Sequence, residues 1–150
     1  MKASEIMSKK LISVKRTSTI REIALALTQY RISGLPVLSE GGYLAGIVTE
    51  GDLLRRKMVP RTPAFINILG AVIYYHGVEQ YNEDFKKILA QKAEDIMTTD
   101  LITAKEDDDV SDVARLMLDN DIKQIPIVDG SKIVGIVTRA DIVRMLALDK

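Results

Sequence analysis

The sequence has no cysteine, no tryptophan and a single histidine among its 150 residues. Without cysteine there is no disulfide framework, no thiolate metal site and no cysteine nucleophile, and the chain suits a reducing compartment. Neither charge sign prevails, with 21 basic and 21 acidic side chains, so no broad basic surface is available for a nucleic-acid backbone. Long apolar runs are missing too. The longest, residues 64–75, spans twelve positions broken by Asn67 and Gly70, too few to cross a bilayer. The start, MKASEIMSKK, lacks the apolar core of a signal peptide, so the cytoplasm is the expected location and a membrane is not an expected partner. There is no Walker-type loop, no G-x-S-x-G and no metal-spaced His/Cys cluster. Nothing assembles a nucleophile, a base and an oxyanion site, so the chain reads as non-catalytic, with no catalytic cofactor and no metal.

What is present is an ordinary folded composition, 47% hydrophobic and 28% charged. The charge is unevenly spread. Residues 1–56 hold nine basic and five acidic groups, residues 57–92 five and three, and residues 93–150 seven and thirteen. The two ends therefore attract each other, within one chain or between chains. The acidic run Glu106-Asp107-Asp108-Asp109 stands just before a helix, where carboxylates suit the N-terminal dipole, and reads as a solvated helix entry. His76, beside Tyr74 and Tyr75, reads as a packing or surface residue.

The chain repeats itself at an offset of 90 residues. Glu5-Ile6-Met7 returns as Asp95-Ile96-Met97, and Leu11-Ile12 as Leu101-Ile102. Ala24, Ile32 and Pro36 return as Ala114, Ile122 and Pro126. After a one-residue deletion in a turn, Gly46-Ile47-Val48-Thr49 and Asp52 return as Gly135-Ile136-Val137-Thr138 and Asp141. Such internal symmetry decides the architecture before any single element does.

Each copy reads as strand, helix, strand, strand, helix. Residues 11–14 are a short apolar run. Thr19 and Glu22 have capping-box spacing, and Ile20, Ile23, Ala24 and Leu27 follow at helical intervals. Val110, Val113, Ala114 and Met117 preserve that face in the second copy. Residues 35–38 and 44–48 form a hairpin around Glu40-Gly41-Gly42, matched by Asp129-Gly130 in the second copy. A last helix opens near Thr49 or Thr138. A unit of about 50 residues buries too little surface to be secure alone, so the two copies should pack sheet to sheet with pseudo-twofold symmetry and two equivalent clefts. The expected class is α/β (α+β), with repeats over residues 1–56 and 93–150 and a helical insert over 57–92.

The functional signal is the doubled Gly-h-h-Thr-x-x-Asp, in which h is apolar: GIVTEGD from Gly46 and GIVTRAD from Gly135. Thr-x-x-Asp is itself a capping box, and one copy would mean only a helix start. Two copies at the same place in a repeat, with the Asp-Ile-Met-like lead-in and the Ile-x-x-h-Pro-h segment, resemble the CBS domain family in its tandem form, the Bateman module. The resemblance covers residues 3–56 and 93–148. It implies that each cleft joins the early strand and pre-proline segment of one repeat to the Thr-x-x-Asp of the other. Adenine would lie between apolar side chains, the Asp would accept from ribose hydroxyls, and Thr with nearby cations would meet the phosphate end.

Carried over by position, cleft A takes Ile12, Ile32, Ser33, Gly34, Pro36, Ile136, Thr138 and Asp141, with Lys10, Lys123 and Arg139 at its rim. Cleft B takes Ile47, Thr49, Asp52, Ile102, Ile122, Lys123, Gln124 and Pro126, with Asp100, Ser33 and Glu50 at its rim. Lys123 lies near the twofold axis and reaches either side. Three cations against acids lead us to expect a phosphorylated ligand in cleft A, an adenine nucleotide such as AMP, ADP or ATP. Cleft B would be empty or hold a less charged adenosine compound. The family resemblance further implies a regulatory, signal-transducing module that forms a homodimer and is read by a separate effector protein. The alternatives are a non-binding structural or dimerisation scaffold and a binder of S-adenosylmethionine or adenosine.

The insert is long for a connection. Pro60 and Pro63 should break the chain, residues 64–75 should form an apolar helix, and Asn82 should cap a second helix burying Phe85, Ile88 and Leu89. It serves either as a brace on the module's own surface or as a dimer or effector contact.

Overall fold

The computed structural model describes residues 1–55, 64–89 and 91–148. The first repeat runs through α1 (Ala3–Ile6), β1 (Val14–Lys15), α2 (Ile20–Tyr30), β2 (Gly34–Leu38), β3 (Leu44–Thr49) and α3 (Glu50–Arg55). The insert follows as β4 (Ala64–Ile68), β5 (Ala71–His76) and α4 (Val78–Leu89). The second repeat is α5 (Ala93–Ile96), α6 (Val110–Asp119), β6 (Gln124–Asp129), β7 (Lys132–Thr138) and α7 (Arg139–Leu148).

Local chemistry accounts for the repeat elements. Thr19 and Glu22 close a reciprocal capping box on α2, with bonds of 3.2 and 3.0 Å. That helix ends on Arg31 at φ 51°, and its counterpart ends near Asp121 at φ 49°. The left-handed stop is thus repeated at the same offset. In the first repeat β2 is central, parallel to β1 and antiparallel to β3, with Pro36 facing Ile47. In the second, Pro126 faces Ile136 across β6 and β7. The first strand shrinks there to a parallel bridge between Ala104 and Ile127. The strand expected at residues 11–14 therefore begins only at Val14, three residues late.

Each repeat has its own hydrophobic core, but neither core is made from one repeat alone. Ile23, Leu27, Leu35, Val37 and Val48 of the first repeat pack with Ala93 and Ile96 of the second. Val113, Met117, Ile125, Ile127 and Val137 of the second pack with Ala3 and Met7 of the first. The lead-in helices α1 and α5 are exchanged. Backbone bonds fix the exchange: Ser8 N donates to Ile136 O at 2.8 Å, and Thr98 N to Ile47 O at 2.8 Å. Fully burying a side chain the size of Ile96 is worth about 1.5–3 kcal/mol, so each lead-in holds the opposite repeat firmly. The motif glycines are explained here. A Cβ on Gly135 would sit 2.5 Å from Met7 Sδ, and one on Gly46 2.7 Å from Met97 Sδ. The close approach that glycine permits is used by the exchanged methionines.

The insert departs from the helical expectation. Residues 64–75 belong to a hairpin in which Ile66 faces Ile73 and Asn67 faces Val72. Its two-residue turn, Leu69-Gly70, has φ of 50° and 84°, the positive pair that a type I′ turn requires. The run is rich in β-branched and aromatic residues, which suit a pleated strand better than a helix. Asn82, expected as a cap, lies inside α4, which starts directly after Gly77 at φ 82°. Pro60 and Pro63 lie outside the described residues, as do the side chains of Phe85, Ile88 and Leu89. Among the described residues, no helix is long and apolar enough to cross a membrane.

Candidate functional site

Both Thr-x-x-Asp segments form closed helix starts. Asp52 Oδ2 accepts from Thr49 N at 3.0 Å and from Thr49 Oγ1 at 3.2 Å. Asp141 Oδ2 accepts from Thr138 N at 2.8 Å and Thr138 Oγ1 at 2.7 Å, and Asp141 N donates back to Thr138 Oγ1 at 3.2 Å. The Oδ1 atoms face Arg55 at 3.7 Å and Arg144 at 3.3 Å. A carboxylate has about four lone-pair sites, so capping and a further hydroxyl donor are compatible. The two aspartates differ in access: the side chain of Asp52 is 3% exposed and that of Asp141 14%.

Between the repeats lies a cavity of about 480 Å³, within the range of small-molecule sites. The first repeat lines it with Ser33, Ile47, Thr49, Glu50, Gly51 and Leu54. The second contributes Thr98, Asp100, Leu101, Ile102, Asp121, Ile122, Lys123 and Gln124. These walls join the strand-to-helix corner of one repeat to the early and pre-proline segments of the other. Of the residues expected around cleft B, Asp52 and Pro126 are not on the wall. Asp52 is folded under its own helix start, and Pro126 is buried in β6 opposite Ile136. Gly51, Leu54, Thr98, Leu101 and Asp121 were not expected. Thr98 could have been found from its place directly after the lead-in methionine, and Asp121 from its place before Ile122. Leu54 follows Glu50 and Gly51 one helical turn on.

The residues expected in cleft A are held by matching backbone contacts. The bridge between Ser8 and Ile136 brings the chain that continues to Lys10 and Ile12 beside the end of β7. Arg139 N donates to Lys123 O at 3.1 Å, as Glu50 N does to Ser33 O at 2.9 Å. Thr138 faces Gln124, and Thr49 faces Gly34. Ile12 and Ile32 are partly buried, Lys10 is exposed, and Pro36 is buried in β2. Arg139 is already engaged: its Nε donates to Ile122 O at 3.0 Å and its guanidinium meets Asp121 Oδ1 at 3.3 Å. Ser33 and Lys123, each assigned to both clefts, line the cavity on the cleft B side. That cavity carries Glu50, Asp100 and Asp121 against Lys123, an acidic surplus.

The CBS domain model matches residues 3–58 and 93–148 of this chain. The chain belongs to the CBS domain family. Its pair of CBS repeats is 32% identical to the uncharacterized protein MJ1426 of Methanocaldococcus jannaschii, over 97% of this chain and 91% of that one. Protein MJ1404 of the same organism is 28% identical over 97% of this chain, which spans only 32% of that longer protein. Among solved structures, the CBS domain pair of MJ0100 in complex with 5′-methylthioadenosine and S-adenosyl-L-methionine superposes with a TM-score of 0.74. It is 29% identical, with coverage of 100% of this chain and 98% of that one.

Proposed function

We propose that this CBS pair is a non-catalytic regulatory module that binds adenosine-containing ligands, an adenine nucleotide foremost, in its inter-repeat clefts. The observation that carries this reading is the roughly 480 Å³ cavity whose wall is drawn from both repeats. A ligand there touches both halves at once, so its binding energy bears on how they pack. Coupling of this kind is usually worth about 1–3 kcal/mol, enough for a partner protein to read.

The clefts differ in charge. On the cleft A side Lys10 is exposed, and Arg139 drawn from Asp121 would meet a phosphate there, whereas Lys123 lines the cavity of cleft B. The two cations favour a phosphorylated nucleotide such as AMP, ADP or ATP in cleft A. Glu50, Asp100 and Asp121 favour a phosphate-free or cationic adenosine compound in cleft B. The second assignment is supported by the related MJ0100 pair, which is in complex with 5′-methylthioadenosine and S-adenosyl-L-methionine. Leu54, Val143 and Leu146 are more than 60% exposed on the last helices of the two repeats, which supports a homodimer, and we place the protein in the cytoplasm.

Thermal shift with AMP, ADP, ATP, adenosine, 5′-methylthioadenosine and S-adenosylmethionine tests the reading. A ligand at ~100 times its dissociation constant adds about 2.7 kcal/mol, a rise of roughly 5–10 °C for a domain of this size. No shift with any of them would leave a structural scaffold, and turnover of a nucleotide would replace regulation with catalysis.

A further inference from the structure

Gly34 and Gln124 occupy the same position in the two repeats, each opening the strand that carries its repeat's proline, β2 or β6. They also meet. A Cβ on Gly34 would collide with Gln124 Nε2 and stand 3.1 Å from Val48 O and 3.2 Å from Thr49 Cγ2. One side chain therefore fills the space of both symmetric positions, and the glycine is required for it to do so. Gln124 Nε2 is shielded from solvent and has no hydrogen-bond partner among the described residues. Buried amide donors are almost always paired, and an orphan of this kind calls for a functional explanation. The same side chain lines the inter-repeat cavity beside Ser33 and Thr49.

We propose that Gln124 is a specificity-determining residue of the cavity, its carboxamide N–H reserved for an acceptor on the bound ligand. The inference rests on the adenosine-binding reading above. Adenosine offers ring nitrogens and ribose oxygens as acceptors, and a turn about the last side-chain torsion lifts the N–H from Gly34 toward them. At the symmetry-related position the other cleft has Gly34, which carries no side-chain donor. Sequence symmetry is broken here by one side chain, which makes the two clefts chemically distinct in a way that charge alone does not.

The test is methyl NMR on isoleucine-labelled protein titrated with adenosine. Ile47, Ile102 and Ile122 report on the cavity, and Ile12 and Ile136 on the other cleft. Gln124→Leu keeps the volume and removes the donor; Gln124→Met serves if leucine prevents folding. We expect adenosine affinity at the cavity to fall about 3–10-fold, the worth of one hydrogen bond, with affinity read at Ile12 and Ile136 unchanged. The melting temperature of the unliganded variant should hold or rise, since an unpaired donor has gone. Equal cavity affinity in wild type and variant overturns the role of Gln124 and leaves adenosine binding standing. A wild type whose Ile47, Ile102 and Ile122 methyls do not respond overturns the binding reading at this cavity, and this inference with it. A marked loss of unliganded stability with unchanged affinity assigns Gln124 to packing instead.

Discussion

Gly135→Ala, alone and combined with Met7→Ala, measures the exchange of lead-in segments directly. The added Cβ would stand 2.5 Å from Met7 Sδ, 2.9 Å from Cγ and 3.2 Å from Cβ, and all three contacts belong to one buried side chain. Overpacking of this kind costs about 1–3 kcal/mol, reduced by the roughly 0.4–1 kcal/mol that replacing glycine removes from the freedom of the unfolded chain. Met7→Ala alone leaves a cavity and costs about 2–5 kcal/mol. In the double variant Sδ and Cγ are gone and only the 3.2 Å approach to Cβ remains, so most of the cost should vanish and the pair should lie within ~0.5 kcal/mol of Met7→Ala. Urea unfolding of all four proteins gives the coupling, expected at about 1–2 kcal/mol. The twin glycine should behave differently. A Cβ on Gly46 also meets Thr98 O at 2.8 Å, and that carbonyl is held by Ile47 N at 3.0 Å. Met97→Ala should therefore rescue Gly46→Ala only in part. Additivity within ~0.5 kcal/mol for the Gly135 and Met7 pair would refute the reasoning, because the glycine would then owe nothing to the methionine of the other repeat.

Three further outcomes are expected. Thr138→Ala removes the hydroxyl that bonds Asp141 at 2.7 and 3.2 Å, and urea unfolding should register a loss of about 1 kcal/mol; a change under ~0.3 kcal/mol would deny the cap any stabilising role. Ile102→Trp should fill the cavity and abolish the adenosine-induced thermal shift without unfolding the protein, and a retained thermal shift would place the ligand elsewhere. Leu69→Asn at φ 50° should slow amide exchange across β4 and β5, since asparagine tolerates the left-handed region that leucine resists; faster exchange would contradict the type I′ turn.

Much of this architecture was legible in the sequence because duplication supplies its own control. Thr19 and Glu22 formed the expected capping box, and the apolar spacing of Ile23 and Leu27 found the buried face of α2. The offset matched Gly46 to Gly135 but could not say what each glycine accommodates. That depends on which copy the lead-in methionine enters, and a repeat pattern is identical for both choices. The insert escapes its sequence pattern for a different reason. An apolar run interrupted only at Asn67 and Gly70 carries no clear period, and Leu69, fully exposed at the turn, gives no sign of its positive φ. At the clefts, the pattern of pieces was readable while the orientation of individual side chains was not. Arg139 turns onto Asp121 and Ile122 O, and Asp52 sits beneath its own helix start.

The exchanged lead-ins also bear on what counts as half of this molecule. Severing the chain at the exposed tip of the insert hairpin, between Leu69 and Gly70, would not release two self-sufficient pieces. Each fragment would carry the stave that completes the other's barrel of side chains and would lack its own, so the nicked protein should stay whole and unfold as one. A lone repeat of this design is finished only by a second, whether that second follows it on the same polypeptide or arrives by diffusion.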